Sequence, residues 1–308
     1  MFPTALVYSS HNRCEYIHRE WIVERALRSP YNKTILYLTM SMGEKHQQDY
    51  SWSTFSWYFN HFTQYGLHAI PFFWSDNLRK QDVDLLFEYL RSYEVVILGG
   101  GNSFLGMQRY RALGEIFYGD SDLFGRILHE RQSEGKLTVG FSAGADQLCE
   151  YISCMFSPSV YNPCGFSLAR NVVTTLHHEW GNEGEIYTLA QNLPHCAAFG
   201  LPNDSGLAID QDYLPSGNIW QVIEFLIDCS WDAPQDGWHI KTRRGMKIEH
   251  FYPDGRHWSF NGGDKMVRVM SGDNRYTKAW LVQNGTILDY WSQKFSGFNS
   301  IDEILANH

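Results

Sequence analysis

The chain has 308 residues, 44% hydrophobic and 19% charged, which suits one large α/β domain with an extension or two small domains and excludes wholesale disorder. Lys and Arg number 25 against 34 Asp and Glu, a net charge of -9, so a nucleic-acid partner is excluded as the expectation, because phosphate neutralisation needs clustered cations. No apolar run approaches the roughly 20 residues of a membrane span, and the start MFPTALVYSS lacks the basic and apolar regions of a signal peptide.

Short apolar runs followed by amphipathic stretches fill the first two thirds. Thr4–Tyr8 reads as a strand, Cys14–Leu27 as a helix, and Thr34–Thr39 as a second strand. Ser53–Tyr65 reads as a helix with a dense aromatic face that includes Phe55, Trp57 and Phe59. His68–Phe73 is a strand, and Asp82–Arg91 a helix with Val83, Leu86, Phe87 and Leu90 at helical spacing. Glu94–Leu98 is a strand running into three glycines. Leu123–Glu134 is helical, Leu137–Phe141 a strand, and Ala143–Tyr151 helical again. Val172–Leu176, Ala197–Leu201 and Gly206–Ile209 read as further strands. Alternation of this kind predicts a mostly parallel sheet with helices on both faces, and ligand sites beyond the carboxyl ends of its strands.

After Asp236 the pattern changes to alternating polar and apolar residues over His239–Tyr252, His257–Met270 and Ala279–Tyr290. Turn signals such as Pro253-Asp254-Gly255 and Asn284-Gly285 separate them. The chain therefore divides into an α/β part over 1–235 and a β-rich extension or subdomain over 236–308. The basic run Lys241-Thr242-Arg243-Arg244 falls in the second part and reads as a solvated strand face or turn. Six scattered cysteines, with no C-x-x-C pair, fit reduced thiols and a cytoplasmic protein. The high aromatic content leaves a homodimer contact open.

Two loops carry the chemistry. Gly140-Phe141-Ser142-Ala143-Gly144 joins a strand to a helix. A serine held there sits on a tight turn, with flanking glycines admitting close backbone and the following helix amides favouring negative charge. Gly99-Gly100-Gly101-Asn102 follows another strand, where backbone amides can turn toward an oxyanion. Its spacing fits neither a dinucleotide fingerprint nor a phosphate-binding P-loop.

Leu98–Phe104 followed about forty residues later by Val139–Ala145 resembles the peptidase E / cyanophycinase family of serine peptidases, within the class I glutamine amidotransferase-like superfamily. The resemblance covers residues 1–210. It implies a flavodoxin-like three-layer sandwich, Ser142 as nucleophile, and an oxyanion hole from the Ala143 amide with that of Gly100 or Gly101. His178 aligns best with the family's histidine, with His177 the alternate. The orienting residue falls at Asp204 or Asn203; the position of the aspartate in peptidase E-like members is taken by Ser157. Arginines that bind acidic substrate groups in the family are replaced here by the acidic stretch 179–185. The implied substrate is a small, neutral or basic peptide or aminoacyl amide, with no cofactor, metal, nucleic acid or membrane. The alternative is a non-catalytic binding or assembly protein that has lost its third catalytic residue.

A late-histidine α/β-hydrolase using His250 or His257 would leave the triple-glycine loop unexplained. A metal site from His177, His178, Glu179 and His195 is hindered because adjacent strand residues face opposite ways.

Overall fold

Short β-branched and aromatic runs alternate with amphipathic stretches, and in the computed structural model each becomes an element. The structure describes residues 2–10, 16–30, 32–178, 181, 183–228, 247–272 and 277–308. In chain order the first half contains β1 (Ala5–Tyr8), a helical segment Ile17–Val23 running into α1 (Glu24–Arg28), β2 (Thr34–Leu38), α2 (Lys45–Asn60), β3 (His68–Phe72), α3 (Lys80–Ser92), β4 (Val95–Leu98), α4 (Ser103–Tyr118), α5 (Leu123–Ser133), β5 (Leu137–Phe141) and α6 (Ala143–Leu148).

These five strands lie parallel in the order β1-β5-β4-β2-β3. Their residues are apolar on both sides because both faces are covered. Leu36 and Leu38 pack toward the core that holds the buried residues of α3, α4 and α5, while Ile35 and Tyr37 pack toward Phe55 and Phe59 of α2. The carboxyl ends of all five therefore share one edge.

The second half continues with β6 (Val172–Leu176), α7 (Glu183–Asn192), β7 (Ala197–Leu201), β8 (Ser205–Tyr213), β9 (Ile219–Ile227), β10 (Ile248–Phe251), β11 (His257–Phe260), β12 (Lys265–Met270), β13 (Thr277–Gln283), β14 (Thr286–Asp289) and α8 (Ile301–Ala306). β8 pairs antiparallel with β1, and the sheet runs on through β9, β12, β13 and β14 to ten strands. A four-stranded sheet, β11-β10-β7-β6, packs on this half through rings such as Phe225 and Phe260, stacked at 4.1 Å.

The mostly parallel expectation is corrected: half of the large sheet is an antiparallel meander, because β8 enters beside β1 by a tight turn rather than a helical crossover. Helices on both faces describe only the parallel half. The antiparallel half has a second sheet on one face and Ile304 of α8 on the other. The β-rich C-terminal pattern is present, and its strands are shared between the two sheets. Asn284 (φ 49°) and Gly285 (φ 76°) make the left-handed hairpin turn that their dipeptide signals. The boundary at 235/236 and the basic run at 241–244 lie outside the described residues.

Three helices and one strand have weak sequence signals. α4 carries Gly106 and Gly114 in its interior, where helix propensity is poor, because a side chain at Gly106 would meet Gln147 and Ser41. α7, α8 and β9 carry no clear sequence pattern either. α2 begins at Lys45, ahead of its apolar stripe, because Glu44 and Gln47 form a reciprocal capping box. Among the described residues no helix is long and apolar enough to cross a membrane.

Candidate active site

β5 ends at Phe141 and α6 begins at Ala143, so Ser142 alone makes the turn, at φ 51° and ψ -113°. An L-residue reaches that region only under constraint. The constraint is close packing: the Gly144 backbone lies against the Leu98 carbonyl, where any Cβ would collide. The Ser142 amide donates to the Tyr8 carbonyl (2.9 Å), and its carbonyl accepts from the Asp146 amide (3.2 Å). Ser142 is half-buried, and its hydroxyl has no hydrogen-bond partner among the described residues.

The triple-glycine loop packs directly on this turn. A Cβ at Gly100 would lie 3.2 Å from Cβ of Ser142. Gly101 takes φ +132° against the Ser41 carbonyl, which accepts the Asn102 amide at 2.8 Å. Asn102 then caps α4 by accepting from the Leu105 amide (2.9 Å). The Gly100 amide faces the buried Tyr37 hydroxyl, which burial keeps protonated and which bonds Ser51 at 2.8 Å. Among the described residues, the amides of Gly101 and Ala143 have no backbone acceptor.

Asp146, one turn into α6, is fully buried, and burial raises its carboxyl to about 6. Both its oxygens accept the Ser153 amide at 2.9 Å, and Oδ2 also accepts the Ser153 hydroxyl. Its role is to pin the following loop.

The two histidines separate sharply. His177, just past β6, adopts φ 55°, and its Nδ1 lies 2.8 Å from Asn203 Oδ1. His178 turns the other way. Its ring is 3% exposed, packs on Gly200, and places Nε2 3.0 Å from Glu249 Oε2 on β10. The ring beside Asn203 is thus that of the alternate, His177, while His178, the better-aligned histidine, lies against Glu249. The physical reason is that consecutive residues at a strand end point to opposite sides. Asp204 (φ 54°) is fully buried in the adjoining turn, its amide donating to the Ser10 carbonyl at 2.9 Å. Ser157 is exposed and bonds Ser159, away from this cluster.

What joins the pieces is the end of β1, where the only sequence signal is Ser9-Ser10 following a strand. Tyr8 accepts the Ser142 amide. Ser9 is fully buried; its hydroxyl accepts the His177 amide (3.0 Å) and donates to the Leu201 carbonyl (3.1 Å). The Ser9 amide donates to the Ser205 carbonyl at 3.0 Å. The serine turn, the histidine and the Asn203 turn are therefore all tied to three consecutive residues, Tyr8 to Ser10.

No protein-family model matches the chain, and no curated protein matches it. Its fold is similar to that of solved structures. One is the crystal structure of a peptidase from an acI-B1 actinobacterium: TM-score 0.52 and 12% identity, over 84% of this chain and 98% of that one. Another, assigned as a peptidase E protein of Listeria monocytogenes EGD-e, aligns at TM-score 0.46 and 14% identity over 67% of this chain and 94% of that one. At such identities the first likeness is one of fold.

Proposed function

We propose that the chain is a serine hydrolase of the peptidase E type that cleaves small peptides or aminoacyl amides through an acyl-enzyme. The observation that carries this reading is the strained Ser142 turn, packed on Gly100 and tied through Tyr8–Ser9 to the His177–Asn203 pair.

Asn203 Oδ1 can only accept, so His177 Nδ1 carries the proton and Nε2 keeps its lone pair. Nε2 takes the Ser142 proton as Oγ attacks the substrate carbonyl, then returns it to the leaving amine. The Gly101 and Ala143 amides meet the oxyanion of the tetrahedral intermediate, where each such donor contributes about 3–4 kcal/mol. Asn203 orients the imidazole without the charge compensation of a carboxylate, which lowers the attainable rate. Glu183 and Glu185 in α7 and the absence of arginine from 179–185 favour a neutral or basic substrate over an acidic one.

A serine-directed fluorophosphonate is expected to label the wild type and to leave Ser142→Ala unlabelled. Equal labelling of both, or of neither, would refute the nucleophile and favour a non-catalytic binding protein.

A further inference from the structure

Two arginines are buried among the described residues, and they are buried differently. Arg131 is 1% exposed and saturates its five N–H groups on five oxygens: the carbonyls of Leu90, Tyr93, Glu94 and Leu137 and the Thr138 hydroxyl. Arg268, on β12, is 3% exposed. Its guanidinium reaches two oxygens, the Asn171 carbonyl (3.2 and 3.3 Å) and Gln221 Oε1 (2.9 Å), and otherwise the Met270 sulfur (3.2 Å). Its Nε has no hydrogen-bond partner, and no carboxylate pairs with it among the described residues.

A cavity of about 260 Å³ lies against Arg268, between the start of β7, the end of β10 and strands β12 and β13. Its walls include His250, Tyr252, Tyr290, Trp291 and Cys196. The Tyr252 hydroxyl is buried there beside Tyr290 and Trp258, with no well-aligned hydrogen bond. Trp291, 46% exposed, marks the side where the cavity reaches the surface. The volume equals that of about nine bulk waters, which is single-ring size.

Among the described residues, nothing compensates the positive charge that Arg268 brings to the cavity. Burial pulls Arg268 down only to about 10, so it stays protonated at neutral pH. Burial drives His250 to about 3 and Cys196 up to about 12, leaving both neutral. Tyr290 is held protonated by burial as well. A buried cation lacking a counter-charge is costly unless an anion reaches it. An open cavity beside it, with the buried Tyr252 hydroxyl and flat aromatic walls, supplies the route and the rest of the recognition.

We infer that this cavity is a binding site for a small carboxylate with an aromatic or similarly flat apolar body. The carboxylate would pair with Arg268 and accept from the Tyr252 hydroxyl, while the ring lies among Tyr290, Trp291 and Tyr252. The site is separate from Ser142: β7 runs from the cavity at Ala197 to Leu201, whose carbonyl accepts Ser9 Oγ, a span of about 13 Å.

The test is thermal shift and titration calorimetry on the full chain with benzoate, phenylacetate and indole-3-acetate, beside their neutral amides and inorganic phosphate. At least one carboxylate is expected to bind tenfold or more tightly than its amide and than phosphate. That preference should vanish in Arg268→Met, and binding should be lost in Ala279→Leu, which fills the cavity from β13. If Arg268→Met does not fold, Ala279→Leu alone decides the location. Equal binding of carboxylate and amide, a preference for phosphate, binding unchanged in the cavity-filling variant, or no binding at millimolar ligand would each overturn the inference. None of these readouts depends on Ser142.

Discussion

The two halves of the large sheet gather functional groups in different ways. In the parallel half, strands end together on one edge, and what matters there is backbone: the strained Ser142, the packed Gly100, and the open amides of Gly101 and Ala143. In the antiparallel half, the groups sit between two sheets, the strands lending alternate residues: Met266 and Arg268 from β12, Thr277 and Ala279 from β13, beside His250 from β10. A site at strand ends is written in contiguous motifs, because one turn supplies several of its parts. A site between sheets is assembled by alternation across distant segments, so no short motif announces it.

The sharpest break in this comparison lies between neighbouring histidines. His177→Ala is expected to lower kcat/KM by about 10³-fold, about 4 kcal/mol of transition-state stabilisation. His178→Ala should cost less than tenfold in activity and act mainly on stability, since its ring is committed to Glu249. Steady-state kinetics on the best amide substrate, with melting temperatures in parallel, separates them. The reverse ranking would return the base to His178 and detach the Asn203 pair from catalysis.

That choice shows where sequence reading stops. Ser142 and the glycine loop were legible because strand, turn and helix signals surround them and only glycine admits the Leu98 and Ser41 carbonyls so close. The histidine pair was legible as a pair; which ring faces the site depends on the positive φ at His177, which no propensity encodes. Asn203 and Asp204 stayed open as alternatives likewise, since both sit in one turn and only the fold brings one side chain to a histidine ring. The parallel core was readable from apolar runs. β9 was not, and with it the ten-strand extent of the sheet stayed hidden, because its partners β8 and β12 lie on either side of it in the chain at very different separations. Arg268 gave no signal, because its role needs Asn171 and Gln221 brought together from 97 and 47 residues away.

The two buried arginines test the comparison through stability. Arg131→Met leaves four buried carbonyls short of a donor and is expected to cost about 3 kcal/mol. Arg268→Met removes an under-paired cation and leaves far fewer groups unsatisfied, so its cost should stay near 1 kcal/mol or below in ligand-free protein. Denaturant unfolding of both variants measures this. Equal large losses would show Arg268 to be as structural as Arg131 and would weaken the case for an anion.

The finest test falls on Ser9, where the two halves meet. Its hydroxyl is buried, accepts from His177 and donates to Leu201, so it spans from the end of β1 to the ends of β6 and β7 in the other sheet. It touches no reacting atom; its part is to hold a left-handed histidine backbone at fixed distance from the Ser142 turn. Ser9→Ala leaves the His177 amide without its acceptor and is expected to lower kcat about tenfold, near 1.4 kcal/mol, with KM little changed. A packing defect alone would lower the melting temperature while leaving the kcat of the folded fraction intact. A positioning role instead slows fluorophosphonate labelling of Ser142 in fully folded enzyme, and Ser9→Thr, which keeps the hydroxyl, restores it. If Ser9→Ala labels and turns over at the wild-type rate, the tie between β1 and His177 is structural, and the geometry of the nucleophile and base is set by their own turns.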